Sequence, residues 1–108
     1  MNVIKNMKRK CTEKRFRQND LNIIQNIPKD TFHHVIEVLV DEGWEVSIDY
    51  RGPDGWEQKG RCKLRKGTSV LECRWSSNHQ GAISGLGRII KGIATQFDLV
   101  CLDTPRWQ

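Results

Sequence analysis

The stretch over residues 44–75, WEVSIDYRGPDGWEQKGRCKLRKGTSVLECRW, decides the fold. From Trp44 to Tyr50 apolar residues alternate with polar ones, which is the period of a strand with one buried face. The GPDG sequence at 52–55 has the composition of a turn. It separates this first strand from a second over 56–65, and a third strand is predicted over 68–75. We therefore expect a three-stranded antiparallel meander.

The loop between the second and third predicted strands sets their register. A two-residue loop of Lys66 and Gly67 would place Cys62 opposite Leu71. Cys62 and Cys73 would then be diagonal neighbours about 7–8 Å apart, beyond the disulfide span of about 4.4–6.8 Å. We therefore predict that both thiols are free and buried. In this register the apolar residues of the meander share one face, namely Trp44, Val46, Ile48, Tyr50, Cys62, Leu64, Leu71, Cys73 and Trp75.

Helical periodicity flanks the meander on both sides. Apolar residues recur at helical spacing over 30–42, before Gly43, which stands where a left-handed residue commonly ends a helix. A last helix is predicted over 78–96, because its four isoleucines and Leu86 form a broad apolar face. A short helix over 20–27 and a short final strand over 99–102 complete the expected elements.

These elements predict an α+β fold in a single domain over 19–108, preceded by a basic N-terminal arm over 1–18. The expected sheet is antiparallel with three or four strands. Two main helices cover its apolar face, and its charged face stays largely open. A length of 108 residues with 37% hydrophobic composition fits one ordinary globular domain.

Positive charge is concentrated in the basic arm. Seven cations face one acid there, a net charge of +6, whereas the whole chain carries +5, which leaves −1 for residues 19–108. Such an arm is either a solvated, frayed terminus or a short amphipathic helix. Because Lys and Arg bind phosphates, we expect it to engage an acidic partner, foremost nucleic acid. Its cations are Lys5, Lys8, Arg9, Lys10, Lys14, Arg15 and Arg17.

The second predicted strand carries four cations at alternate positions, so all four project from one face. In the predicted register Glu45 and Glu72 lie beside Arg61, which is ordinary cross-strand pairing on a solvated surface. Lys63 and Arg65, near the hairpin tip, have no acidic neighbour in that register. They are therefore the candidate phosphate contacts on the sheet.

Gly81, Gly85 and Gly92 fall on one stripe of the predicted last helix. An interior glycine costs about 1 kcal/mol relative to Ala, so the stripe indicates a close approach of another backbone. Unless the first glycines lie in a loop before the helix, that backbone belongs either to the protein's own sheet or to a second subunit. The second interpretation, with Trp56 and Trp107 as candidate exposed anchors, gives an alternative function: a homo-oligomeric interaction or scaffold module.

The sequence carries no catalytic, metal or cofactor signature. Its four cysteines include no C-x-x-C pair, and no G-x-S-x-G motif is present. His33, His34 and His79 have no acidic partner at ligand spacing and are expected at the surface. We therefore expect a non-enzymatic protein with no cofactor and no membrane span. Free thiols favour a reducing compartment, so the expected location is cytoplasmic.

Overall fold

The fold is that of a computed structural model, which describes residues 3–50 and 59–105, with side chains of the first helix from residue 10 onward. The described elements form a five-stranded antiparallel sheet with strand order β1-β5-β4-β3-β2, and three helices. The predicted α+β class is confirmed, with five strands rather than three or four. The elements are α1 (Val3–Gln18), β1 (Leu21–Ile27), α2 (Lys29–Asp41), β2 (Glu45–Val46), β3 (Lys59–Lys66), β4 (Ser69–Ser76), β5 (Gln80–Leu86) and α3 (Gly87–Phe97).

Helices α2 and α3 cover one face of the sheet and enclose the main core. Trp44 and Trp75 are each 8% exposed, which confirms their predicted burial. Full burial of a large apolar side chain contributes about 1.5–3 kcal/mol, so this layer is the main source of apolar stabilisation among the described residues. Its members include Phe32, Val35, Ile36, Leu39, Ile90 and Ile93 from the helices and Cys62, Leu64, Leu71, Cys73 and Ile83 from the strands.

The β3–β4 hairpin turns at Gly67 and Thr68, one residue later than predicted. Gly67 has a φ of +61° and takes the first central position, as a type II′ turn requires. The ladder shifts by two residues in total, so the predicted core-facing side chains stay on the core face. Their cross-strand partners differ, however: Cys62 lies opposite Cys73 rather than Leu71.

Two segments that were predicted as helices are strands. Residues 20–27 contribute β1, where β-branched isoleucines favour a strand. The first half of the predicted last helix forms β5, and α3 begins only at Gly87. Burial alternates along β5, so that Gly81, Ile83 and Gly85 face the core. Burial in this segment therefore follows the two-residue alternation of a strand rather than the predicted helical spacing.

The first predicted strand is much shorter than expected. Only Glu45–Val46 forms β2, and Glu45 pairs with Arg65 rather than lying beside Arg61. The chain then turns, with the Tyr50 backbone N–H donating to the Ser47 carbonyl at 3.1 Å. Ile48 is 94% exposed, so its predicted burial is wrong. The predicted 52–55 turn, Trp56 and Trp107 lie outside the described residues.

The predicted C-terminal strand is reduced to a single bridge on the edge strand β1. Leu102 and Ile23 exchange two backbone hydrogen bonds, each 2.8 Å long. This bridge joins the C-terminal segment to the sheet edge, as expected, without a continuous ladder. Across the described residues, no helix is both long enough and apolar enough to cross a bilayer.

Candidate functional site

An open groove of about 800 Å³ lies on the face of the sheet opposite α2 and α3. Helix α1 forms one wall of it, through Thr12, Arg15 and Phe16, and the strands form its floor. Phe16 and Ile23 both line the groove and are 5% and 8% exposed, and neither belongs to the main core cluster. Of the two forms expected for the basic arm, the structure therefore has the helix, held to the sheet at Phe16.

The floor of the groove is rich in cations. Strand β3 exposes Lys59, Arg61, Lys63 and Arg65 on this face, as their alternation predicted. Strand β4 adds the exposed Arg74. We call this surface, together with the adjoining side of α1, the charged face.

The shifted register changes which of these cations oppose an acid. Lys63 lies opposite Glu72, and Arg65 lies opposite Glu45. The prediction that Lys63 and Arg65 have no acidic neighbour is therefore wrong. For Lys63 the error rests on a hairpin turn placed one residue too early, which had moved Glu72 next to Arg61. For Arg65 it rests on the register of the first predicted strand, which had placed Glu45 beside Arg61.

Arg61 instead lies directly opposite Arg74. Directly opposed residues have Cβ atoms about 4.5–5.5 Å apart, and like charges there are destabilising. Within residues 10–50 and 59–105, no carboxylate oxygen lies within 4.0 Å of either guanidinium. Sequence reasoning missed this pair, because its signal depends on knowing the turn that sets the register.

Glu72 lies within the charged face and links α1 to the sheet. Its Oε2 is 3.9 Å from Nη2 of Arg15, and the two side chains are 40% and 58% exposed. An exposed pair of this kind contributes about 0–1 kcal/mol. The buried ring of Phe16 is therefore the stronger attachment of α1, and the ion pair mainly orients Arg15 along the groove.

The predicted arm residues all belong to α1. Arg15 lines the groove directly, and it is exposed. Three further cations, Lys10, Lys14 and Arg17, are also exposed on the same helix. The side chains of Lys5, Lys8 and Arg9 lie outside the described part of the chain.

The predicted glycine stripe does not form, because Gly81 and Gly85 belong to β5 and Gly92 to α3. A Cβ on Gly81 would overlap the ring of Phe32, and a Cβ on Gly85 would lie 2.5 Å from Cδ2 of Leu71. The first two glycines therefore serve close packing inside the subunit. Nothing lies within 4 Å of a Cβ built on Gly92, so the three positions share no continuous surface for an oligomer contact.

His33 is buried, contrary to its predicted place at the surface. It is 2% exposed on α2, and its ring Nδ1 lies 2.8 Å from the hydroxyl of Tyr50. Burial, followed by the nearby charge of Glu37, raises the pKa of Tyr50 to about 12. His34 and His79 are exposed, as predicted. Within the described ranges, no group of three His, Cys, Asp or Glu side chains is arranged to hold a metal ion.

Cys62 and Cys73 are free and buried, as predicted, although the distance argument behind that prediction is wrong. The thiols face each other, and the hydrogen bond between them lowers the pKa of Cys62. The same bond, reinforced by burial, raises the pKa of Cys73 well above its ordinary value. Such a pair packs as part of the core.

No protein-family model, curated protein or solved structure matches this chain. Its function therefore rests on the chemistry of its own surfaces. The charged face offers guanidinium and ammonium donors along an open groove and across a helix, which suits an extended anion.

Proposed function

We propose that this is a non-enzymatic binding protein that engages nucleic acid through phosphate contacts from α1 and the charged face of the sheet. The observation that carries the proposal is the position of α1. Because Arg15 and Phe16 line the same groove as Arg61 and Arg74, one cation of the arm shares a surface with cations of the strands, and the exposed Lys10, Lys14 and Arg17 extend the positive charge along α1. Its free thiols suit the reducing conditions of the cytoplasm.

An extended polyanion fits the distribution of these charges. Helix α1 has 16 residues, so it is about 24 Å long at a rise of about 1.5 Å per residue. Double-stranded DNA carries about one negative charge per 1.7 Å of its axis. Cations spread along α1 and across two strands can therefore contact several phosphates of one nucleic acid at once. A single acidic side chain of a protein partner would contact only one of them.

Binding of this kind depends on salt and only weakly on base sequence. Each neutralised phosphate releases condensed counterions, and the logarithm of affinity falls with the logarithm of salt concentration by about 0.9 per contact. The groove exposes arginine and lysine side chains, whereas the rings of Phe16 and Trp75 that line it are buried. We therefore expect backbone contacts to dominate over base stacking.

The test neutralises α1 without removing it. Deleting residues 1–18 would also remove the buried Phe16 and uncover the sheet, so we substitute the exposed Lys10, Lys14 and Arg17 with Gln. Fluorescence anisotropy with DNA and RNA duplexes at about 50 and 200 mM salt gives the salt slope. We expect weaker binding and a slope reduced by about 0.9 for each phosphate that the variant no longer neutralises.

A matched control removes the same charge from the opposite side of the molecule. Lys29, Arg88 and Lys91 are exposed on α2 and α3, and their triple Gln variant should bind nearly as well as the wild type. Equal reductions in affinity for the two triple variants would mean that only net charge matters, which contradicts a specific surface. The absence of duplex binding by the wild type at low salt would refute the proposal.

A further inference from the structure

We propose that Arg61 and Arg74 together form a binding site for one phosphate group. The inference rests on the proposed function and names a phosphate contact of the sheet that is independent of the basic arm. The two residues lie directly opposite each other on β3 and β4 and are both exposed. Both also line the 800 Å³ groove and a smaller adjoining groove of about 310 Å³.

Among the described residues, no contact stabilises this arrangement in the free protein. Directly opposed like charges destabilise an antiparallel pair. Elsewhere on the same ladder the opposed residues compensate, since Lys63 faces Glu72. Within the described ranges, Arg61 and Arg74 have no carboxylate within 4.0 Å. A bound anion between them would remove the repulsion, whereas a purely structural role leaves it unexplained.

The neighbouring cross-strand residue pairs on β3 and β4 position the anion. Next to the arginines, on the side away from Glu72, Lys59 lies opposite Ser76. The Ser76 hydroxyl accepts a hydrogen bond of 2.9 Å from the backbone N–H of His79, so its own proton remains available for donation. Glu72 repels an anion from the other side. The phosphate therefore lies over the two arginines, shifted toward Lys59 and Ser76.

Phosphate suits this site because of its geometry as well as its charge. A guanidinium presents a planar fork of N–H donors that matches two phosphate oxygens. Two opposed guanidiniums can therefore occupy several oxygens of one phosphate group, which a lysine pair would contact only as point charges. The open groove admits either a backbone phosphate of a nucleic acid or the terminal phosphate of a small molecule.

The experiment compares Arg61→Gln and Arg74→Gln with Arg65→Gln in the full chain. Arg65 is exposed on the same strand and face but lies opposite Glu45, so it controls for the removal of one charge. The probes are a DNA duplex, an RNA duplex and inorganic pyrophosphate, with binding followed by anisotropy or by titration calorimetry. Thermal unfolding of each free variant is measured alongside.

We expect the duplex affinity of each variant of the pair to fall about tenfold or more, because hydrogen bonds to charged groups are the stronger kind. The duplex affinity of Arg65→Gln should fall less than about threefold, because an exposed ion pair contributes little free energy. Arg61→Gln and Arg74→Gln should also raise the melting temperature, because each relieves the repulsion. Lower affinity together with higher stability is an outcome that mere structural damage cannot produce.

The possible failures separate the inference from the proposed function. Equal duplex affinities for the Arg61, Arg74 and Arg65 variants, with weaker binding only in the α1 variant, would overturn the phosphate site and leave the proposed function standing. A wild type that binds pyrophosphate at these arginines but no duplex would refute the proposed function and support a site for small phosphates. If the wild type binds neither duplex and no pyrophosphate, both the phosphate site and the proposed function are overturned.

Discussion

Alternation along the strands gives the sheet one buried apolar face and one exposed cationic face. On one face, side chains such as Leu64, Leu71 and Ile83 are fully buried beneath α2 and α3. On the other, β3 and β4 expose cations, and two arginines oppose each other. Burial stabilises the first set, whereas among the described residues no acid compensates the two opposed arginines. We therefore expect substitutions on the covered face to affect folding and those on the charged face to affect binding.

The largest expected contrast is in thiol reactivity. Cys62 and Cys73 lie in the core, so labelling them requires an opening that approaches global unfolding, about 5–15 kcal/mol for typical domains. Cys11 is exposed on α1 and should react first with a thiol-reactive dye. Mass spectrometry of the native protein should also find Cys62 and Cys73 unbridged. Labelling of either core thiol at the rate of Cys11 would contradict the burial of the covered face.

A smaller contrast separates two glycines. In Gly85→Ala the new Cβ would lie 2.5 Å from Cδ2 of Leu71 and 3.2 Å from the Val70 carbonyl oxygen, which should cost about 1–3 kcal/mol of stability. Gly92→Ala adds a methyl group in open space on α3 and should stabilise by about 0.5–1 kcal/mol. Urea denaturation measures both. Destabilisation by Gly92→Ala would indicate a contact at that position, as an oligomer interface would make.

The smallest expected effect is on the charged face. Glu72→Gln removes an acid from among the cations and breaks an exposed ion pair with Arg15. Stability should change by less than about 1 kcal/mol, while duplex affinity rises. Glu37→Gln, on α2 beneath the opposite face, is the control and should leave affinity unchanged. A fall in affinity with Glu72→Gln would show that Glu72 supports the groove rather than repelling its ligand.

The core face was predictable from sequence because alternation alone assigns it. A ladder shifted by two residues leaves Cys62, Leu64 and Leu71 on the same side, so an error at the turn did not affect the core. Pairing across strands depends on the turn itself, and the choice of Gly67 as the first rather than the second central residue decided it. Because the turn was predicted one residue too early, the pairing of Arg61 with Arg74 was not predicted.

Structure was harder to predict where the local sequence fits two conformations or depends on distant residues. The two glycines and one isoleucine of 80–86 fit a helical stripe as well as a strand, and only packing against Phe32 and Leu71 distinguishes the two. His33 resembled a surface residue because its partner, Tyr50, is 17 positions away. The position of α1 was likewise out of reach, since one buried ring, Phe16, fixes it. Long-range contacts decided each of these cases.

The central claim is that phosphates contact the charged face, and arginine side chains report on it directly. In the ¹H–¹⁵N spectrum of the full chain, the Nε–Hε resonances of Arg15, Arg61 and Arg74 should shift when a DNA or RNA duplex is added at low salt. Arg88, exposed on α3 on the opposite side of the sheet, should stay unchanged. A shift of Arg88 with Arg15, Arg61 and Arg74 unmoved would place the contact on the wrong side of the molecule and contradict the claim.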